Sequence, residues 1–122
     1  MDAEVARLLQ VAVTDLVRLE VTLLFHQNPS FVETGEAIAR RLYRDPALVG
    51  KALEGLVGCG LLDRFELGRG RYVLYGYTQD VATRGSVAVL SVAYHESDQQ
   101  RVEIIRCLMK FGLMGPKQGA KA

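Results

Sequence analysis

Residues 45–77, DPALVGKALEGLVGCGLLDRFELGRGRYVLYGY, are the key to this chain. Asp45 suits a helix N-cap, and Pro46 suits the first turn, where no backbone N–H is needed. Val49, Leu53, Leu56 and Val57 then recur on one helical face. Gly60 stops that helix, so it spans roughly 46–59. Gly50, Gly55 and Gly58 lie inside it, each costing about 1 kcal/mol relative to Ala. They mark close backbone packing, close approach of a ligand, or a weak helix. Two strands follow, at 62–67 and 71–78, hinged at Gly68-Arg69-Gly70. In the first, Phe65 and Leu67 alternate with Arg64 and Glu66, the pattern of a half-buried strand. In the second, Tyr72, Val73, Leu74, Tyr75 and Tyr77 are apolar on both faces, which predicts a central or covered strand.

Upstream, residues 3–27 read as one helix. Val5, Leu8, Leu9, Ala12, Leu16, Leu19 and Leu23 form its buried stripe. Asp2 is its cap, and Asn28-Pro29 ends it. Val11, Val13 and Val17 add a second apolar edge, and Thr14 can mark a bend. This helix is therefore expected to pack on its own domain and on a partner subunit. Phe31-Val32-Glu33 reads as a short strand. Thr34 then caps a helix with Ile38, Ala39 and Leu42 inward. Tyr43 and Arg44 leave that helix just before Asp45-Pro46, a short helix-to-helix turn.

Downstream of Asp80 the chain is read as helical again, although Val81-Ala-Thr-Arg-Gly85 is ambiguous by itself. Val87, Val89 and Val92 also tolerate strand. Ser97 with Gln100 has the pattern of a capping box. Residues 86–111 are therefore either two helices split at Ser97 or one long helix. Val102, Ile105, Leu108 and Met109 share a face of the last segment. Residues 112–122 (GLMGPKQGAKA) read as a flexible tail. Three segments result: 1–78, an N-terminal helix with the helix–turn–helix and hairpin; 79–111, a C-terminal helical dimerisation segment; and 112–122.

The bulk composition fits one globular body. Of 122 residues, 49% are hydrophobic and 24% charged, enough to build a core. The net charge of +1 argues against a strongly basic coat but allows a local basic edge. Apolar runs are short and broken by charge, so no membrane span is expected, and Met-Asp-Ala-Glu does not start a secretory signal. A cytoplasmic location follows as an expectation. Cys59 and Cys107 are not closely spaced and read as reduced, buried small hydrophobes.

Residues 15–78 resemble the winged helix-turn-helix superfamily of small prokaryotic transcription regulators, of the MarR, ArsR and PadR types. The matching residues are Ala37-Ile38-Ala39 in the second helix and Val49, Leu53 and Leu56 in the third. Gly60-Leu61-Leu62 matches the turn into the wing, and Gly68-Arg69-Gly70-Arg71 the wing tip. The resemblance implies an α+β, mostly α, winged helix-turn-helix with N- and C-terminal flanking helices. It further implies a homodimer that binds double-stranded DNA, with helix 46–59 in the major groove and wing 62–78 on the backbone or minor groove. Carried onto this chain, it places Ala47, Leu48, Gly50, Lys51 and Glu54 on the exposed face of the recognition helix.

The expected DNA-binding residues are Arg40, Arg41, Arg44, Leu48, Lys51, Arg69 and Arg71. A Gly-Arg-Gly tip can bring guanidinium groups to a narrow minor groove or to phosphates. Residues 31–79 carry seven basic side chains and six acidic ones, a net of +1. That near-neutral edge keeps an alternative open: a protein–protein interaction module with the same fold and no DNA role. A ligand-responsive regulator, with an effector pocket between the wing unit and the outer helices, is a third reading, and no effector is named by any motif. His95, Glu96, Asp98 and Glu103 match no defensible metal spacing and read as a cluster of polar side chains in solvent. No phosphate-binding glycine loop and no nucleophile elbow is present, so no catalytic residue, cofactor or metal is assigned.

Overall fold

Two aspartates start the first two helices. Asp2 Oδ1 accepts from the Glu4 amide at 2.7 Å, and Asp15 Oδ1 accepts from the Arg18 amide at 2.8 Å. They bound α1 (Ala3–Val11) and α2 (Leu16–Gln27). The computed structural model, which describes residues 1–114, thus divides the single helix expected over 3–27. The break falls beside Thr14. Asp15 caps better than it continues a helix, and the turn buries Val13 completely. Arg18 Nη1 closes the corner by donating to the Ala12 carbonyl at 3.0 Å.

The chain continues through β1 (Val32–Thr34), α3 (Gly35–Leu42), α4 (Pro46–Gly58), β2 (Leu62–Leu67) and β3 (Tyr72–Tyr77). It finishes with α5 (Val81–Glu96) and α6 (Asp98–Met114). The three strands are antiparallel in the order β1-β3-β2, so β3 is central, as its two apolar faces predict. Strand parity then corrects one expectation. Leu62 pairs with Tyr77 and both are buried, which fixes every second residue toward the helices. Phe65, opposite Leu74, and Leu67, opposite Tyr72, therefore lie on the outer face and are exposed, not half-buried. Arg64 and Glu66 take the helix-facing positions instead.

Leu9, Leu19, Phe25, Ile38, Val49, Leu53, Leu56, Leu61, Leu90, Ile104 and Leu108 form one continuous core. α2 lies at its centre, packed against α3, α4, α5, α6 and β3. Asp80 caps α5, with Oδ2 accepting from the Thr83 amide at 2.9 Å. Ser97 leaves helical geometry, and its Oγ accepts from the Gln100 amide at 3.2 Å. The C-terminal segment is therefore two helices. α6 takes in residues 112–114, and the remainder of the expected tail, 115–122, lies outside the described residues. Among the described residues, no helix is long and apolar enough to cross a membrane.

Of the three glycines in α4, Gly55 is the one in close packing. A Cβ there would sit 2.0 Å from Arg18 Nη2, whereas Gly50 and Gly58 face open space. Gly55 lets the Arg18 guanidinium cross α4 on its way to the α1–α2 corner.

Candidate nucleic-acid interface

The turn between α3 and α4 sets the geometry of the exposed edge. Tyr43 ends α3 in the left-handed conformation, φ 55° and ψ 44°. Its amide donates to the Ala39 and Arg40 carbonyls, and the Arg44 amide reaches the Ala39 carbonyl at 3.1 Å. Such a turn favours glycine, and a residue with a Cβ costs about 1–2 kcal/mol there. Asp45 then caps α4, with Oδ2 accepting from the Leu48 amide at 3.2 Å.

The buried side of α4 carries Val49, Ala52, Leu53 and Leu56. The opposite side presents Ala47, Lys51, Glu54 and Gly58, all exposed, with Leu48 beside them. This face is open. Glu54, the single carboxylate within α4, is turned aside: it accepts a short hydrogen bond from the Tyr75 hydroxyl, and Arg64 Nε lies 3.2 Å from its Oε2. Arg64 also meets Glu66 at 2.7 Å. Burial, and then the bond to Glu54, push the Tyr75 phenol above its ordinary range, so it stays a donor.

The wing tip continues the edge. Gly68, Arg69 and Gly70 have φ of 62°, 58° and 83°, three left-handed residues in a row. Two glycines carry two of these positions without strain, and Arg69 occupies the third. Arg69 and Arg71 are both exposed. A hollow of about 300 Å³ lined by Thr34, Gly35, Pro46, Arg71, Tyr72 and Tyr75 joins the starts of α3 and α4 to the base of the wing.

The expected basic residues divide into two sets. Arg40, Lys51, Arg69 and Arg71 are exposed and have no ion pair among the described residues. Arg41 is exposed, with its guanidinium 4.6 Å from the Phe31 ring centroid. Arg44 is engaged within the fold: its Nε and Nη2 donate to the two Glu20 carboxylate oxygens at 2.5 and 2.9 Å. That fork ties the turn to α2, and the bond to Glu20 holds the guanidinium pKa above its ordinary value.

Two features were not legible in the chain. His26 and Tyr77 share a hydrogen bond at 3.0 Å across the seam between α2 and β3. Arg84 stacks over the Tyr77 ring at 4.6 Å and donates from Nε to the Thr78 carbonyl at 2.6 Å. Burial, followed by the Arg84 and His95 charges, lowers the His26 pKa, and burial raises the Tyr77 pKa to about 12. These residues come from three elements, and no local spacing announces their meeting. Beside them lies a hollow of about 230 Å³ between α2, the end of α3 and α5, lined by Leu16, Leu19, Leu23, Leu42, Tyr94 and His95.

Cys59 corrects a further expectation. It is exposed at the end of α4, because the helix has already turned its buried side away; Cys107 is half-buried beside the core. His95 approaches Gln27 at 2.9 Å, Asp98 pairs with Arg101, and Glu103 lies 4.0 Å from the terminal amine. No group of three His, Cys, Asp or Glu converges for a metal among the described residues.

This arrangement of helices, turn and three-stranded wing is the winged helix-turn-helix fold. The structure is similar to a mutant of MepR from a multidrug-resistant S. aureus clinical isolate, with a TM-score of 0.59 and 18% identity over 97% of this chain and 87% of that one. It is also similar to RV1404 from Mycobacterium tuberculosis, with a TM-score of 0.53 and 23% identity over 93% and 70%. A MepR-like protein complexed with pseudoligands matches with a TM-score of 0.51 and 15% identity, over 88% and 80%. At these identities the fold is what is shared. No protein-family profile and no curated protein sequence matches the chain.

Proposed function

We propose that this chain is a cytoplasmic, DNA-binding transcription regulator that acts as a homodimer. α4 enters the major groove, with Lys51 and Leu48 facing the bases. Arg69 and Arg71 carry the wing to the backbone or minor groove, and Arg40 and Arg41 add phosphate contacts beside α3. Arg44 supports this surface from within, through Glu20. The observation that carries the reading is the open outer face of α4, whose one carboxylate is held aside by Tyr75 and Arg64 while the wing tip beside it carries two unpaired arginines. The fold that the chain shares with winged-helix regulators of the MarR type supports the same role.

Exposed aliphatic side chains on the outer helices support the dimer. Val81 and Val92 lie three turns apart on one stripe of α5, and Val102 and Met109 two turns apart on one stripe of α6; all four are exposed. Val92 also borders an open hollow of about 390 Å³ lined by Asp2, Ala88, Val89, Ala93 and Gln100. A two-fold pair of α4 helices about 34 Å apart would meet successive major grooves.

Fluorescence anisotropy with a mixed-sequence duplex tests the proposal. With about four phosphate contacts per protomer, from Arg40, Arg41, Arg69 and Arg71, log K should fall with log salt at a slope near −7. Replacing Arg69 and Arg71 by Ala removes four charges per dimer and should flatten that slope by about 3.6. Absence of binding at high micromolar protein in low salt would reject DNA as the partner. A protein-interaction module is then the better reading, favoured by the outer face of the sheet, where Val32, Phe65, Leu67 and Tyr72 remain exposed together.

A further inference from the structure

Only two residues other than glycine have positive φ among the described residues, Tyr43 and Arg69. They sit in the two loops that flank the open face of α4. Arg69 is already part of the proposed DNA edge; Tyr43 is not. Tyr43 is 96% exposed, the most exposed large apolar side chain among the described residues. It therefore carries two costs at once. The backbone favours glycine at this position, and the ring is left in water with nothing packed on it. A solvent-facing turn gains nothing structural from that choice, since glycine or asparagine would close it with less strain. Strained residues of this kind persist where the side chain has work to do.

The position indicates what that work is. Tyr43 lies two residues before the N-cap of α4 and two residues after Arg41, which with Arg40 is exposed on the last turn of α3. The Arg44–Glu20 fork fixes the next residue to α2, so the turn is held rigidly. A tyrosine on such a mount offers an apolar ring with a hydroxyl donor at its end, the shape that packs on a sugar and donates to a phosphate oxygen. We infer that Tyr43 is a DNA-backbone contact, its hydroxyl donating to a phosphate that flanks the groove entered by α4. The inference rests on the DNA-binding reading proposed above and adds a neutral contact to its cationic ones.

Neutrality makes the contact separable. A phenol displaces no counterion, so its loss should weaken binding without changing the salt slope, unlike the loss of Arg69 or Arg71. The experiment is anisotropy titration of a mixed-sequence duplex at several salt concentrations, on the wild type, Tyr43→Gly, Tyr43→Asn and Tyr43→Phe. Gly and Asn both accept the left-handed backbone, so neither variant should lower the melting temperature, and Gly should raise it. Tyr43→Gly and Tyr43→Asn should bind about ten-fold more weakly with an unchanged slope, and Tyr43→Phe should share most of that loss. Wild-type affinity in both Gly and Asn variants overturns the inference, as does wild-type affinity in Tyr43→Phe or a flattened salt slope. If the wild-type protein binds no duplex, the failure belongs to the DNA reading itself, which the Arg69 and Arg71 variants report independently.

Discussion

The winged unit and the outer helices of this protein solve opposite surface problems. In the winged unit, the edge formed by the end of α3, the open face of α4 and the wing tip carries arginine and lysine, two left-handed loops, and a carboxylate turned aside by its neighbours. α5 and α6 instead expose Val81, Val92, Val102 and Met109 among charged residues such as Glu96, Asp98 and Arg106, with Val81 84% exposed. A polar ligand rewards placed charge, and it needs loops stiff enough to hold that charge. A copy of the same chain rewards apolar area that water does not favour. On the proposed reading, this small fold separates its two partners by surface chemistry. It joins them mechanically through α2, which packs on α4 on one side and α5 on the other.

If that division is right, the apolar face can be destroyed while the charged one stays intact. Val92→Glu combined with Met109→Glu should leave a folded monomer in sedimentation. Duplex affinity should then fall by at least about 10²-fold, because two linked half-sites become one. A double variant that stays dimeric would move the dimer interface away from α5 and α6.

The seam between the two regions should respond to alkali. The Tyr77 phenol has its pKa raised from 10 to about 12, so the unfolded chain loses that proton first as pH rises. Stability should therefore drop between about pH 10 and 12, by on the order of 2 kcal/mol, and Tyr77→Phe should remove this part of the decline. Denaturant melts across that range measure it.

The Arg44–Glu20 fork should matter less, since both side chains are about a third exposed. Arg44→Ala should cost up to about 1 kcal/mol, and a double-mutant cycle with Glu20→Ala should recover most of it as coupling. A larger loss of duplex affinity than of stability in Arg44→Ala would place that guanidinium on DNA directly.

The smallest effect is expected from His26. Its folded pKa lies below the ordinary value near 6.5, so below that pH the unfolded chain takes up the proton more readily. Stability should decline as pH falls through this region and level off once the folded imidazole also titrates. His26→Gln should flatten the acid limb of a melting-temperature profile. An unchanged limb would show that the α2–β3 seam does not sense protons.

Much of the architecture was written locally. Caps at Asp2, Thr34, Asp45 and Ser97 are short-range hydrogen bonds, and each starts a helix as its residue type predicts. The apolar stripe of α4 and the glycines of the wing tip were equally plain. The α1–α2 break was harder, because the apolar period runs through it. Only the burial of Val13 and the Arg18 bridge make a corner better than a straight rod.

The order of elements, the helix–turn–helix pair and the arginine-tipped hairpin could all be read from the chain, because periodicity, capping and turn chemistry act over a few residues. Which charges stay free was settled only in the closed fold. Arg44 is spent on Glu20, Glu54 is drawn to Tyr75 and Arg64, and Phe65 and Leu67 face water because Leu62 sets the parity of their strand. The fold also placed His26 against Tyr77, 51 residues apart in the chain. Those outcomes depend on distances between residues remote in sequence, and such distances exist only once the core has closed.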